Sequence, residues 1–433
     1  MISYPSTSNE ELIQELESLR ERYNTYVGDP VRLDMTRGKP GADQLDISEE
    51  MLTVVSSNAD CMDENGLDCR NYGVLDGIPQ AKKLFADVLG VRAEQVIVGG
   101  NSSLNMMFDT FARAFCFGNV DSVRPWSKEE KVKFLCPAPG YDRHFAICQQ
   151  FGIEMIAVPM LKDGPDMDMI EQYVQNDPAV KGIWCVPKYS NPTGTVYSDE
   201  VVRRFANLSP KAADFRIFWD NAYAVHDLYD EAPKLLNIID ECERAGHPNM
   251  VYMFSSTSKI TYPGGGMAVL ASSVANIENI KKQIFVQTIG PDKLNLLRHV
   301  RMFENRESLL AHMKKHAEIL RPKFEAVLGA LEMDLGGKDI AEWSKPLGGY
   351  FVSVNVLTGC AKRVYALCDN AGVSLTKVGA TFPYGNDPLD SNIRLAPSFP
   401  PVDELKVAME RFTVCVRIAA IEKILADRNI ILN

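Results

Sequence analysis

The segment Ser256-Thr257-Ser258-Lys259 closes the apolar run Val251-Tyr252-Met253-Phe254 and precedes Gly264, Gly265 and Gly266. That order places one lysine where a strand runs out into a hydroxyl- and glycine-rich loop, a setting suited to an amine that must reach a phosphorylated aldehyde. Lys259 is therefore a candidate Schiff-base lysine. A solvated lysine on a serine-rich turn would use the same residues, so the choice rests on partners elsewhere in the chain.

Four further patterns follow candidate strands. Gly99-Gly100-Asn101-Ser102-Ser103 lies between Val96-Ile97-Val98 and the helical stretch Leu104 to Phe115. Backbone N–H groups at a helix start, with serine hydroxyls beside them, favour an anion such as phosphate. An ordinary helix cap has the same composition. Pro139-Gly140-Tyr141-Asp142-Arg143 offers Tyr141, an aromatic able either to lie on a flat ring or simply to pack. Lys188-Tyr189-Ser190-Asn191-Pro192-Thr193-Gly194 is a turn whose Asn191 either faces a ligand or stabilises the turn. In Trp219-Asp220-Asn221-Ala222-Tyr223 a carboxylate ends the strand Ile217-Phe218-Trp219. An acid there is costly to desolvate unless it meets a cation, and a protonated pyridine nitrogen is one such cation.

These turns need a scaffold, and the run from about Glu94 to Ser272 supplies its pattern. Short β-rich runs at Val96–Val98, Phe134–Cys136, Met155–Val158, Ile183–Val186, Ile217–Trp219, Val251–Phe254 and Met267–Ala271 alternate with segments long enough for crossover helices. The expectation is an α/β fold with a mostly parallel seven-stranded sheet sandwiched by helices. Ligands of such sheets gather beyond the carboxyl ends of the strands. Asp292 to Leu328 is helical in pattern and expected to bridge two domains. Beyond it, Gly348-Gly349-Tyr350-Phe351-Val352-Ser353-Val354 predicts a strand and Glu404 to Leu425 a terminal helix, parts of a second, smaller α/β domain. Ser8 and Glu11 form a capping-box pattern ahead of Leu12, Ile13, Leu16, Leu19, Tyr23 and Tyr26, so an amphipathic helix opens the chain. Its apolar stripe suits either its own domain or another subunit. Thr36-Arg37-Gly38-Lys39-Pro40-Gly41 marks a loop. The expected division is an N-terminal helix and loop over 1–45 packing with the small domain, a large domain over 46–300 and the small domain over 301–433.

Taken in chain order, the anion cup, the aromatic, the Asn-Pro-Thr-Gly turn, the Asp-x-x-Tyr element and the Ser-x-Ser-Lys element resemble the class I, fold type I pyridoxal-phosphate aminotransferases. The likeness extends to Asn392-Ile393-Arg394-Leu395-Ala396 and to Asn71-Tyr72-Gly73, and spans roughly residues 30 to 415. The forms DMTRGKP, NYGVLDG, GNSSLN, SNPTGT, DNAY and STSKITYPGGG look most like a divergent bacterial branch of aspartate aminotransferases.

The resemblance implies pyridoxal 5'-phosphate as cofactor, with Asn101, Ser102, Ser103 and Ser256 around its phosphate and Tyr141 on its ring. It further implies that Asp220 keeps the pyridine nitrogen protonated, so that the ring remains an electron sink, while Tyr223 and Asn191 hydrogen-bond the phenolic oxygen. Lys259 would hold the cofactor covalently and return as the general base. Arg394 would grip the substrate α-carboxylate bidentately, with Arg37, Gly38 and Asn191 also at the substrate. A homodimer is expected in which Tyr72 reaches the neighbouring subunit's cofactor phosphate. The family usually has an arginine shortly after the lysine to pair with the phosphate, but Ile260 to Met267 contains no basic residue. A nest of glycine N–H groups, with Tyr72 of the other subunit, is the expected substitute. A distal substrate carboxylate would need a second cation, for which Arg37, Lys39 and Lys293 are candidates and Arg37 is preferred.

The expected reaction moves the amino group of aspartate or glutamate to a 2-oxo acid such as 2-oxoglutarate. Transamination of alanine or aromatic amino acids, or C–S lyase chemistry, uses the same scaffold. A cofactor-binding regulator would need a DNA-binding module, for which the roughly 30 residues before the likeness are too short. A net charge of −11 with no basic block argues against nucleic acid. Ten scattered cysteines contain no CxxC pair, so they are expected reduced, several inside strands, with no metal site. Neither a basic-then-apolar leader nor a run of 18 apolar residues is present, and the expected location is cytoplasmic, without membrane association.

Overall fold

The computed structural model describes residues 3–29 and 31–430. In chain order the strands are β1 (Leu33–Asp34), β2 (Val96–Gly99), β3 (Lys133–Ala138), β4 (Glu154–Leu161), β5 (Gly164–Pro165), β6 (Val180–Cys185) and β7 (Arg216–Asp220). They continue as β8 (Val251–Ser256), β9 (Ala268–Ala271), β10 (Ala341–Trp343), β11 (Val352–Val356), β12 (Val373–Ser374) and β13 (Asn392–Leu395). All seven expected strands of the large sheet form, in the order β2-β9-β8-β7-β6-β3-β4-β5. Pairings among β8, β7, β6, β3 and β4 are parallel, whereas β9 runs antiparallel to both neighbours. The eighth strand, β5, is a two-residue antiparallel edge folded back on β4. It is too short to register as a periodic pattern, and its Pro165 suits an edge.

Every residue of β6, β7 and β8 is buried, as their apolar cores require between two helical layers, and the buried Lys181 and Arg216 pair with Asp214 and Asp121. β4 instead alternates, with Ala157 and Pro159 exposed, because it lies beside the short edge. One face packs a ring-rich core in which Phe111 stacks on Trp184, with 5.8 Å between ring centroids.

A three-stranded antiparallel sheet, β10-β11-β13, carries Arg394 on β13 directly opposite Ser353. β1 pairs in parallel with β12, Leu33 beside Val373, and so delivers the loop that starts at Thr36. The opening helix Asn9–Asn24 has the predicted capping box at Ser8 and Glu11. Its buried Leu12, Leu16 and Leu19 share a core with Leu405, Phe412 and Ile421 of the terminal helix Val402–Asp427. The stripe therefore packs on its own chain.

The stretch expected as one helical region from Asp292 is two helices, Lys293–Met302 and Arg306–Leu335. Asn305 caps the second by accepting from Ser308 N–H at 2.9 Å, which is where the chain turns. The long helix buries Leu309 and Met313 in the core around the large sheet and Leu320, Phe324, Val327 and Leu331 in the core around the small one. Cysteines are free; only Cys136 and Cys185 lie in strands, fewer than expected, and Cys116 alone is exposed. Among the described residues no helix is long and apolar enough to cross a membrane, and no group of metal-ligating side chains occurs.

Candidate active site

Five strands end on one rim of the large sheet, and the chemistry-bearing turns leave from it. β7 terminates on Asp220 and β8 on Ser256, while β2, β3 and β6 lead within a few residues to Asn101, Tyr141 and Asn191. A cavity of about 640 Å³ opens there. Asn101, Ser102 and Ser103 line it at the start of the helix Ser103–Phe117, and Ser256 lines it from the end of β8. Tyr141, Asp220, Tyr223 and Lys259 also line it, as do Asn191, Arg394, Arg37, Gly38 and Lys39. Tyr72 and Lys293 are not brought into it. Tyr72 is 79% exposed on another surface, and Lys293 is buried with its ammonium donating to the Gly73 carbonyl at 3.0 Å.

Asp220 is buried beside His144, with 3.1 Å between Oδ2 and Nε2. The His144 ring is stacked on Trp184 at 4.3 Å. The other Asp220 oxygen, Oδ1, has no hydrogen-bond partner among the described residues although it is buried. A buried carboxylate oxygen left unpaired is costly, and a protonated ring nitrogen facing it would answer that cost. Burial also pushes the Tyr141 hydroxyl up to about 12, with the Asp220 charge adding to the effect. The Tyr223 hydroxyl is raised well above its ordinary value for the same first reason, then by Tyr141 and Asp220.

Lys259 extends across the Tyr223 ring, its nitrogen 5.2 Å from the centroid. Burial lowers the pKa of this amine while the Asp220 carboxylate opposes the shift. A lysine depressed by desolvation is the state that nucleophilic and general-base work need.

Arg394 is held on several sides. Its Nη1 donates to Asn191 Oδ1 at 3.1 Å, its Nη2 to Thr376 Oγ1 at 3.1 Å, and the guanidinium lies 4.7 Å from the centre of the Phe351 ring. Its buried Nε has no partner among the described residues. A Cβ on Gly38 would stand 2.5 Å from the Phe351 ring, so a larger residue there would displace that ring or the loop. Of the cations near the cavity, Lys39 is engaged, 3.9 Å from Asp34 and 3.7 Å above the Phe399 ring. Arg394 has the Asp142 carboxylate 3.5 Å from its Nη1, whereas Arg37 and Arg143 are exposed lining residues with no ion pair among the described residues.

One N–H of the glycine run is already engaged within the chain. Gly264, Gly265 and Gly266 do not line the cavity, and the Gly265 N–H is spent on the Tyr262 carbonyl at 3.1 Å within a short 3-10 turn. Gly266 instead allows a close approach, since a Cβ there would lie 3.0 Å from the Asn101 carbonyl. Ser258 fills the space, its hydroxyl 3.0 Å from Ser256 Oγ and donating to the Asn101 carbonyl at 3.3 Å. Ser258, His144, Arg143 and Phe351 are the lining or supporting residues that sequence reasoning missed. Ser258 carried a signal, being the second hydroxyl of the Ser-x-Ser pair. His144 carried only its place one helical turn after Tyr141.

A rim of parallel strand ends presenting an unpaired carboxylate, a desolvated lysine, a helix start with hydroxyls and a fixed arginine defines a fold type I aminotransferase. The sequence model for the aspartate amino-transferase family matches residues 7–428, and the chain belongs to that family. It is 47% identical over 406 residues to an aspartate aminotransferase of Corynebacterium glutamicum, covering 94% of each chain. A putative aminotransferase of Mycolicibacterium smegmatis is 46% identical over 99% of this chain and 100% of its own length. The crystal structure of an aspartate transaminase from Corynebacterium glutamicum superposes with a TM-score of 0.95, at 46% identity, over 98% of this chain and 99% of that one.

Proposed function

We propose that this enzyme transfers the amino group of aspartate, or of glutamate, to a 2-oxo acid such as 2-oxoglutarate, using pyridoxal 5'-phosphate in a ping-pong cycle. The observation that carries the reading is the cavity's pair of cationic features: Arg394, locked by Asn191, Thr376 and Phe351, and the unpaired Arg37 and Arg143 at the rim. Two carboxylates on one substrate require two such features. The near full-length identity to an aspartate aminotransferase supports the same substrate class.

When bound, the cofactor supplies an electron sink for the charge left at the substrate α-carbon. The chain's own groups do the rest. Asp220 keeps the ring nitrogen cationic, with His144 orienting its carboxylate. Tyr223 and Asn191 would donate to the cofactor's phenolic oxygen, and Tyr141 would lie against its ring. Asn101, Ser102, Ser103, Ser256 and Ser258 surround the phosphate at a helix start, where backbone N–H groups favour an anion. Arg394 orients the substrate through its α-carboxylate, and Gly38 brings the loop close enough to exclude water. Lys259 would hold the cofactor through its amine and, once freed, would serve as the base for the substrate α-proton.

The same reading takes residues 1–45 with the small domain, 46–300 as the cofactor-binding domain and 301–433 as the small domain. It takes the enzyme as a cytoplasmic homodimer, with Tyr72 contributed to the neighbouring site. The exposure of Tyr72 and its absence from its own cavity support that role. A visible absorption spectrum tests the whole. A band that bleaches on L-aspartate and returns with 2-oxoglutarate is expected; no bleaching with any dicarboxylic amino acid would refute the substrate assignment.

A further inference from the structure

Lys259 sits on a single helical turn, with the N–H groups of Ile260 and Thr261 both 2.9 Å from the Thr257 carbonyl. That turn cannot continue. In a longer helix the Lys259 carbonyl would be answered by the N–H of residue 263, but residue 263 is proline. The carbonyls of Lys259 and Ile260 are thus orphaned at the centre of the protein, where an unpaired group is costly. Side chains from three other elements meet them.

The Ile260 carbonyl accepts from His312 Nε2 at 2.8 Å and His316 Nε2 at 2.9 Å, both on the helix Arg306–Leu335, with Ser48 Oγ at 3.5 Å. The Lys259 carbonyl has Tyr350 Oη at 3.5 Å. The network also assigns the proton on His316. Gln44 Oε1 accepts from the Gly41 N–H at 3.2 Å, which turns the Gln44 amide nitrogen toward Tyr350 Oη at 2.9 Å and His316 Nδ1 at 3.0 Å. Nδ1 is then the acceptor, and the ring proton is on Nε2, aimed at Ile260. On the other side of the turn, His299 Nδ1 donates to the Asn295 carbonyl at 2.8 Å. Its Nε2 is therefore left to accept from Thr257 and Thr261, each hydroxyl 3.0 Å away. Three of the chain's six histidines therefore hold one turn of backbone.

We propose that His316, with His312 and with Gln44 as the lock on its tautomer, is a positioning residue for Lys259: it fixes the Ile260 carbonyl and thereby the direction from which the lysine enters the cavity. Gln44 belongs to the short helix Ala42–Asp46, which follows directly on the loop bearing Arg37, Gly38 and Lys39. The substrate-facing loop and the reactive lysine are consequently tied through two side chains, Gln44 and His316.

The inference rests on Lys259 being the cofactor's lysine, and that assignment has its own test. If Lys259→Ala keeps a lysine-dependent visible band, the assignment fails whatever the histidine variants do. The positioning role is read from competitive acylation of Lys259 in the apoprotein across pH, followed by mass spectrometry, alongside kcat and KM of the holoenzyme. His316→Leu is expected to move the labelling midpoint by about half to one pH unit. It should also lower kcat by about 10- to 100-fold, the scale of a small misplacement of a reacting group, at nearly constant KM. His316→Gln, whose amide N–H can reach the same carbonyl, is expected to restore the midpoint. A folded His316→Leu protein with the wild-type midpoint and kcat overturns the proposal, as does a folded His316→Gln protein that shifts as far as His316→Leu. Should His316→Leu not fold, Gln44→Met leaves both histidines in place and releases the His316 tautomer together with the Gln44 bonds to Gly41 and Tyr350. A smaller shift in the same direction is expected, and an unmoved midpoint overturns the proposal.

Discussion

The two sides of the turn Thr257–Thr261 are built on opposite rules. Toward the cavity, Asp220 Oδ1 and Arg394 Nε are buried without partners among the described residues, and Lys259 is desolvated. Behind the turn, polar groups are matched: His299, His312, His316, Gln44, Ser48 and Tyr350 meet its carbonyls and hydroxyls with neutral hydrogen bonds. Unmet hydrogen-bonding capacity marks where a ligand is to be received, and saturation marks what must not move while it is. His226 is the one exception at the back. It is buried edge-on to Tyr223 and Tyr350, with both ring nitrogens unpartnered among the described residues, and burial drives its pKa well down.

The largest effects belong to the front. Lys259→Ala removes both anchor and base, and kcat should fall by on the order of ten-thousandfold or more, with loss of the band that bleaches on aspartate. Asp220→Ala leaves the folded protein its cavity but no counter-charge for the ring nitrogen. A loss of about 100- to 1,000-fold in kcat is expected, comparable to removing one preorganised electrostatic partner, and stopped-flow half-reactions with aspartate would read it. Equal retention of activity by both variants would dissolve the contrast between the two sides.

The front was legible because topology writes it into the chain. Asp220, Asn191, Ser256 and Lys259 each end or follow a buried apolar run, and the carboxyl ends of parallel strands are where ligands collect. Arg394 was legible only by family likeness, since nothing local distinguishes an arginine on a short antiparallel strand from a surface one. The back was not legible at all. His299, His312 and His316 lie in amphipathic helices; the target of His312 and His316 is a main-chain carbonyl some fifty residues away that is orphaned only once Pro263 halts the turn, and His299 meets two threonine hydroxyls of the same turn. The same proline opens the short 3-10 turn Pro263–Gly265, which spends the Gly265 N–H on the Tyr262 carbonyl.

The rim between the two sides sets substrate choice. Arg37→Ala should raise KM for aspartate by about 10- to 100-fold, the worth of one charge-assisted pair, while changing KM for alanine little. Arg143→Ala measured in parallel separates the two exposed cations, and the double variant should show which of them the distal carboxylate uses. Equal effects on aspartate and alanine would remove Arg37 from the substrate's reach and place it with the back as a structural residue.

The smallest effect on turnover, and the sharpest reading of the back, is a titration. Burial holds His299 and His316 near a pKa of about 4, well below the ordinary value of 6.5. Unfolding releases them to that ordinary value, so between pH 6.5 and 4 the unfolded chain binds protons that the folded one refuses. Stability contributed by these rings is fully present above pH 6.5 and is lost as pH falls, with a limiting slope of about 1.4 kcal/mol per pH unit for each histidine. Urea unfolding of the wild type should therefore weaken steadily from pH 6.5 to 5, above the range where most carboxylates titrate. His299→Gln and His316→Gln should each flatten that limb while leaving kcat at pH 8 far closer to wild type than any front-side substitution does. A limb of unchanged slope in both variants would mean that the rings are protonated in the folded protein. The back would then be charged rather than neutral, and the opposition between its two faces would not hold.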